Sequence, residues 1–162
     1  MNVRFIADLH LGHENMAKLR GFKDSEEHDN FLIESWNSVV HKRDVVYVVG
    51  DISMGKKFPY PKLSRLNGII HVIGGNHDRR QDVQELLKYV DSFTGCMMYR
   101  EMWLTHIPVH PMELKHRAKV NIHGHIHEKS VRTLWGTKDK RYVCVSCEQV
   151  DYKPKTLKEL GL

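Results

Sequence analysis

No apolar run in the sequence approaches the roughly 20 residues needed to cross a membrane, so no transmembrane segment is expected. The first residues, MNVRFIADLH, have no cationic stretch leading into a long apolar one, and they are not expected to act as a secretory signal. Cysteine is scarce: Cys96, Cys144 and Cys147 are too few, and of the wrong parity, for a disulfide framework. Cys144 and Cys147 form a lone CxxC in YVCVSCEQV, whose alternation predicts a strand with the two thiols on opposite faces. Without a second pair this is weak evidence for zinc, and buried structural thiols are expected. These absences predict a cytoplasmic protein. Internal repeats, low-complexity tracts and linkers are also missing, and the 162 residues suit a single domain spanning 1–162.

What is present is an ordinary globular composition, 41% apolar and 28% charged, with two less ordinary features. The first is a formal net charge of +5, spread through small groups such as Arg79–Arg80, Lys56–Lys57 and Lys138, Lys140 and Arg141. Such groups attract phosphate esters or nucleic acid, but charge alone is explained as well by a solvated basic surface. The second is a set of 12 histidines, several beside glycine or aspartate at the ends of apolar runs.

Asn2 to Ala7 reads as a strand ending in Asp8-Leu9-His10. Asp24 followed by Glu27 predicts a capped helix start, with Phe31, Leu32, Trp36, Val39 and Val40 at helical spacing. Val45 to Val49 and Ile69 to Ile73 are continuous β-branched runs, expected as strands buried on both faces. A short helix is expected near Leu63 to Leu66 and an amphipathic one over Val83 to Val90. Beyond Ser92 the pattern predicts strands at Phe93 to Tyr99, Glu101 to Thr105, Lys119 to His123 and Tyr142 to Val145. Strand–helix alternation followed by a strand-rich half suggests two sheets with helices outside them.

Five strand ends carry metal-ligand residue types: Asp8 with His10, Asp51, Asn76 with His77 and Asp78, His106, and His125 with His127. Loops at strand ends converge while the strands hold them rigidly, so such ends are where α/β proteins build sites. Singly, each has a plain explanation. Asp8 could cap a helix starting near His13, Asp51 could close a turn, and GGN could be only a turn. Together in one small protein they are hard to explain as satisfied polar groups. Aspartate can bridge two cations, and imidazole with an amide oxygen completes sites suited to manganese, iron, zinc or nickel. In Asp8-x-His10 and His125-x-His127, two side chains two residues apart are expected on one side of an extended segment. In GGNHDRR the glycines are expected to let the chain leave its strand sharply.

In order, these residues read DLH, GD, GNHD, a lone His after a strand, and GHIH. The series resembles the calcineurin-like metallophosphoesterase superfamily, and the chain looks like a small bacterial or phage member without accessory domains. The resemblance implies a four-layer α/β/β/α sandwich of two mixed sheets. It implies two divalent metal ions, manganese first and iron, zinc, nickel or magnesium as alternatives. One would be bound by Asp8, His10, Asp51 and His127, the other by Asp51, Asn76, His106 and His125, with Asp51 as the bridge. His77 would face the substrate phosphoryl group, with Asp78 orienting it from behind, and His13 and Arg79 are further candidates for phosphate contact.

Two cations about 3.5–4 Å apart activate a shared water for in-line displacement, so no nucleophilic side chain is required. The expected activity is a phosphodiesterase on nucleotide-type substrates, through a bridging hydroxide. A phosphomonoesterase, a nuclease or a non-catalytic interaction scaffold are the alternatives. Partners beyond a phosphate ester, including a nucleic acid, and the oligomeric state are left open, as are His110, which could compete with His106, and His123. Substrate choice is expected to lie in loops 12–24, 53–61 and 130–140.

Overall fold

The structure, a computed structural model, describes residues 1–54 and 59–162. Lys56 and Lys57, and with them the middle of the expected 53–61 loop, lie outside the described residues.

Among the described residues two mixed sheets form. The first has the order β4–β3–β2–β1–β9, built from β1 (Val3–Ile6), β2 (Val45–Val49), β3 (Ile69–Ile73), β4 (Ser92–Thr94) and β9 (Lys155–Thr156). Strands β1 to β4 run parallel, with Ile6 level with Val48 and Val49 level with Ile73, and β9 is antiparallel on β1. The second sheet has the order β5–β6–β7–β8, from β5 (Met97–Tyr99), β6 (Met102–Leu104), β7 (Val120–His123) and β8 (Tyr142–Cys144). Its last three strands are parallel.

The two sheets pack face to face through aromatic side chains. Tyr99 of β5 lies edge-on to Phe5, 5.7 Å between ring centres, and 5.5 Å from Tyr47. On β6, Met102 and Leu104 join this inner core while Trp103 points outward, as the period of two requires. α2 (Ser25–Asn37) covers the first sheet with Leu32, Ile33 and Trp36, and the Trp36 indole donates to the Asn67 carbonyl at 2.9 Å. The helix begins as expected, with Asp24 Oδ1 accepting from the Glu27 amide at 2.9 Å. The outer face of the second sheet is covered by a thinner layer. There Leu114, from a short 3-10 turn at Pro111–Leu114, and Ala118 pack on Tyr142 and Trp103.

Several elements differ from the sequence pattern. The run Phe93 to Tyr99 is not one strand. It breaks at Gly95–Cys96, and its halves join different sheets, so a continuous apolar stretch conceals the crossing from one sheet to the other. The Val83 to Val90 helix shrinks to one turn, α3 (Val83–Leu86), and the expected helix near Leu63 is a 3-10 segment, Tyr60–Arg65. Ile69 is exposed and Tyr47 half-buried, so β2 and β3 are fully covered only toward their carboxyl ends. Cys144 ends β8 while Cys147 starts a 3-10 turn, so the CxxC is not one strand. Cys147 is buried and Cys144 half-buried. A six-residue helix, α1 (Glu14–Leu19), and the two-residue β9 carry no periodic signal to find.

The arrangement matters because it brings the carboxyl ends of β1, β2, β3, β6 and β7 to one edge. The seam is explicit there: the Ala7 amide donates to Val145 O at 2.8 Å, and the Cys147 amide donates to Ala7 O at 3.1 Å.

Candidate metal centre

Each expected ligand sits immediately beyond a strand. Asp8 and His10 follow β1, Asp51 follows β2, Asn76 follows β3, His106 follows β6, and His125 and His127 follow β7. The structure brings all seven together. Asp8, His10, Asp51 and His106 are buried, His127 is partly so, and Asn76 and His125 are exposed at the mouth.

The local backbone is unusual. Asp8, His10, Asp51, His125 and His127 all have left-handed φ, between 50° and 69°. This corrects the extended geometry expected for the two x-spaced pairs. The side chains still converge, but from turns of the wrong hand for most L-residues. Such conformations cost of order 1 kcal/mol each and gather at functional sites. Five of the eight non-glycine residues with positive φ among the described residues are these.

The glycines before the ligands also have a different reason from the expected sharp exit. Neither Gly74 nor Gly75 has positive φ. A Cβ on Gly75 would lie 2.2 Å from Asp51 Oδ1, one on Gly50 2.3 Å from His106 Nδ1, and one on Gly124 2.6 Å from Asp8 Oδ2. In GN and GH the glycine leaves room for a candidate ligand from another strand, while in GD Gly50 combines that close approach with a left-handed φ of 89°.

Asp8, His10 and His127 each offer a ligand atom within 4.8 Å of the others, and so do Asp8, Asp51 and His106. Both carboxylates stand at the join. Asp8 belongs to each group, and Asp51 Oδ2 lies 3.2 Å from His106 Nε2 and 3.8 Å from His10 Nε2. The groups that could hold a metal contain no cysteine among the described residues.

Hydrogen bonds select which nitrogen each histidine presents. His106 Nδ1 donates to the Val49 carbonyl at 2.9 Å, which turns Nε2 toward Asp51 and Asn76 Oδ1, the latter at 2.9 Å. His127 Nδ1 meets Glu148 Oε1 at 3.1 Å, which turns Nε2 toward Asp8 Oδ1, 4.0 Å away. A carboxylate or carbonyl behind the ring is the usual partner of a ligating imidazole. His10 differs: both ring nitrogens are buried without a hydrogen-bond partner, between two carboxylates. Leaving such groups unsatisfied is costly, and a divalent cation of intermediate hardness fits this set of carboxylate oxygens and imidazole nitrogens.

The electrostatics follow from burial and pairing. Burial pushes the Asp8 carboxyl above its ordinary value, although the Ser146 hydroxyl donating at 2.6 Å opposes this. Burial would raise Asp51 too, but the hydrogen bond from His106 takes it below the usual range. Burial drives His10 down to about 3. His106 is raised by Asp51 against its burial, and His127 is raised first by its bond to Glu148. Burial opposes charge on Glu148, yet His127 and Arg20 hold it at about 2.

His77 lies at the rim, one-third exposed, with Nε2 3.8 Å from Asp51 Oδ2, and its amide donates to Asp51 Oδ1 at 3.0 Å. Asp78 does not stand behind the His77 ring. Its oxygens accept from the amides of Asp51, Ile52 and Gly75 at 2.8–2.9 Å, so it clamps the loops after β2 and β3 to each other. That corrects the expected orienting contact: three amides already claim the carboxylate. Arg79 pairs with Asp82 at 2.7 Å rather than with the cluster's carboxylates. His13 caps α1, its Nδ1 accepting from the Met16 amide at 2.8 Å, which leaves Nε2 free to donate beside His10. His110 is exposed and caps the 3-10 turn, so His106 alone of the two enters the site. His123 is buried on the outer face beside Tyr142, its Nδ1 bonded to Gly124 O, and burial lowers it to about 4.

Three supporting residues carry no sequence signal: Ser146 on Asp8, Glu148 on His127, and Arg20. The Arg20 guanidinium, 2% exposed, reaches Glu148 at 2.8 Å, the Asp8 carbonyl at 2.8 Å and the Leu9 carbonyl at 3.3 Å. It thus ties the loop after β1 to the segment that holds His127.

The model of the calcineurin-like phosphoesterase superfamily domain matches residues 1–145. The chain belongs to that superfamily. An uncharacterized protein of Methanocaldococcus jannaschii is 34% identical over 161 residues, covering 96% of this chain and 86% of that one. The Gene 66 protein of Mycobacterium phage L5 is 28% identical over 173 residues, covering 80% of this chain and 79% of the phage protein.

Among solved structures, a protein of unknown function from Aquifex aeolicus superposes with a TM-score of 0.74 at 21% identity, over 99% of this chain and 97% of that one. A structure described as a novel archaeal phosphodiesterase superposes with a TM-score of 0.51 at 16% identity, over 90% and 82%. These likenesses show the fold. Membership in the superfamily indicates a hydrolase of phosphate esters that uses divalent metals. No helix among the described residues is long and apolar enough to cross a membrane.

Proposed function

We propose that the chain is a dinuclear-metal phosphodiesterase acting on nucleotide-type substrates. Asp8, His10, Asp51 and His127 would hold one divalent ion, and Asp51, Asn76, His106 and His125 the second. The observation that carries the reading is His10, a buried imidazole with no partner at either nitrogen, set between Asp8 and Asp51. Bound cations supply a water acidic enough to attack near neutral pH and polarise the phosphoryl oxygens.

The chain's own groups do the rest. His77 at the rim donates to a phosphoryl oxygen or gives a proton to the departing alcohol. His13 offers Nε2 as a second donor to the same anion. Asp78 keeps the loops of Asp51 and His77 in register. In the net reaction one P–O ester bond breaks, the water oxygen stays on phosphorus, and the alcohol leaves with a proton. A non-catalytic scaffold is disfavoured because every ligand position and His77 are filled.

The test is hydrolysis of bis-p-nitrophenyl phosphate beside p-nitrophenyl phosphate, with manganese and then iron, zinc, nickel and magnesium. Turnover of the diester that disappears with chelator supports the reading. Hydrolysis of the monoester alone shifts it to a phosphomonoesterase, and no hydrolysis with any cation removes it.

A further inference from the structure

Two grooves open from the candidate centre. One, of about 690 Å³, has His125 and His127 in its wall and continues past Leu19, Arg20, Ile126, Lys129 and Tyr152. The other, of about 420 Å³, has Asn76 and His106 in its wall and continues past Ile107 and Pro108. The larger groove thus carries one residue of each proposed ion set, and the smaller carries two of the second set.

Each groove also exposes an aliphatic side chain that packing does not explain. Leu19, at the end of α1, is 79% exposed, and Ile107, just after His106, is 53% exposed. Single exposed apolar residues are common, but here one stands on each groove beside a ligand histidine. The larger groove has a further peculiarity. Tyr152 adopts φ 57°, a left-handed conformation that is a genuine outlier for a bulky residue. It is held there by its amide bonding to Cys147 O at 2.9 Å and by edge contacts of its ring with Phe22 and Phe31. Asp151, at φ 53°, shares this conformation, so the two residues form a turn that sets the Tyr152 ring in the groove wall, with the Arg20 guanidinium 5.5 Å over it.

A phosphomonoester has one organic arm and a phosphodiester has two. We infer that the two grooves receive the two arms of a phosphodiester, the larger taking a nucleoside whose base lies against Leu19, Ile126 and Tyr152, and the smaller taking the second alcohol over Ile107. The inference rests on the phosphodiesterase reading and adds to it which arm goes where. The chemistry of the larger groove suits this occupant. Its apolar wall takes a planar base, Lys129, exposed and among its lining residues, supplies a cation for a further phosphate, and Arg20 is already committed to Glu148 and two carbonyls.

The experiment compares two activated diesters, thymidine 5′-p-nitrophenyl phosphate and methyl p-nitrophenyl phosphate, in wild type and in Leu19→Glu. It adds calorimetric binding of thymidine 5′-monophosphate to both proteins. Wild type is expected to favour the thymidine ester in kcat/KM, and Leu19→Glu to reduce that preference about tenfold and to weaken nucleotide binding by a similar factor. Leu19 is exposed and outside the core, and thermal unfolding of the variant checks that the fold is kept. If both esters are hydrolysed with a ratio unchanged by the substitution, the groove assignment falls while the phosphodiesterase reading stands. If neither ester is hydrolysed, that reading falls. Nucleotide binding then decides the groove alone, where equal affinity in both proteins, or none in wild type, overturns it.

Discussion

Glu148 lies 3.1 Å from His127 Nδ1 across 21 residues of sequence, and the same Oε1 atom accepts Arg20 at 2.8 Å. Glu148 therefore sets the tautomer of His127, and Arg20 sets Glu148. A carboxylate behind a ligating histidine typically contributes 10- to 100-fold in metal affinity. Glu148→Gln is expected to weaken manganese binding by about that factor in calorimetry, with the fold intact by circular dichroism. Unchanged affinity would show that the contact is incidental.

His77 and the ligands should separate cleanly. His77→Ala is expected to keep wild-type manganese binding while losing roughly 100- to 10,000-fold in turnover of the diester, the usual range for a general acid or proton donor. Metal loss in this variant equal to that of a ligand variant would contradict a substrate-facing role.

Gly75→Ala tests whether the motif glycine is there for space. Its Cβ would fall 2.2 Å from Asp51 Oδ1 and 2.4 Å from the Asp51 amide, so overpacking of about 1–3 kcal/mol is expected. At Gly95 a Cβ meets nothing within 4 Å, and Gly95→Ala should shift stability by less than about 0.5 kcal/mol. Equal melting temperatures for the two variants would remove the argument.

Acid should destabilise the metal-free protein early. Burial holds His10 at about 3 in the fold against an ordinary 6.5, so below pH 6.5 the unfolded chain binds a proton that the folded one refuses. Glu148, held at about 2 against an ordinary 4.5, acts in the same direction: its contribution is present above 4.5 and fades as pH falls toward 2. Melting temperature in chelator is expected to fall steadily from pH 6.5 downward. A flat profile from pH 7.5 to 5 would show that His10 is not held neutral by burial.

The candidate ligand set was legible because Asp8, Asp51, Asn76, His106 and His127 each follow closely on an apolar run, which is a local pattern. The supports were not. Arg20 and Glu148 meet across 128 residues, and Ser146 reaches Asp8 across 138, contacts that only the joining of the two sheets creates. Asp78 shows the limit of motif reasoning. Its neighbour in sequence is His77, but its carboxylate faces the backbone of the loop after β2. Strands β2 and β3 were readable to the residue because their β-branched runs end in glycine, whereas the split at Gly95 lies inside a run whose two halves look alike. The left-handed turns at Asp8, His10, His125 and His127 are only weakly signalled: Asp and His adopt this conformation more readily than most residues, but most Asp and His do not.

Metal stoichiometry tests the proposed two-ion site, in which Asp51 would be shared by both ions, most directly. Asp51→Asn keeps an oxygen that can accept from the His77 amide, so the loop can stay formed while the charge is lost. Manganese titration is expected to give two ions per chain in wild type and fewer than two in Asp51→Asn, with diester hydrolysis lost in parallel. Two ions retained by the variant, or full hydrolysis by wild type in excess chelator, would contradict the account.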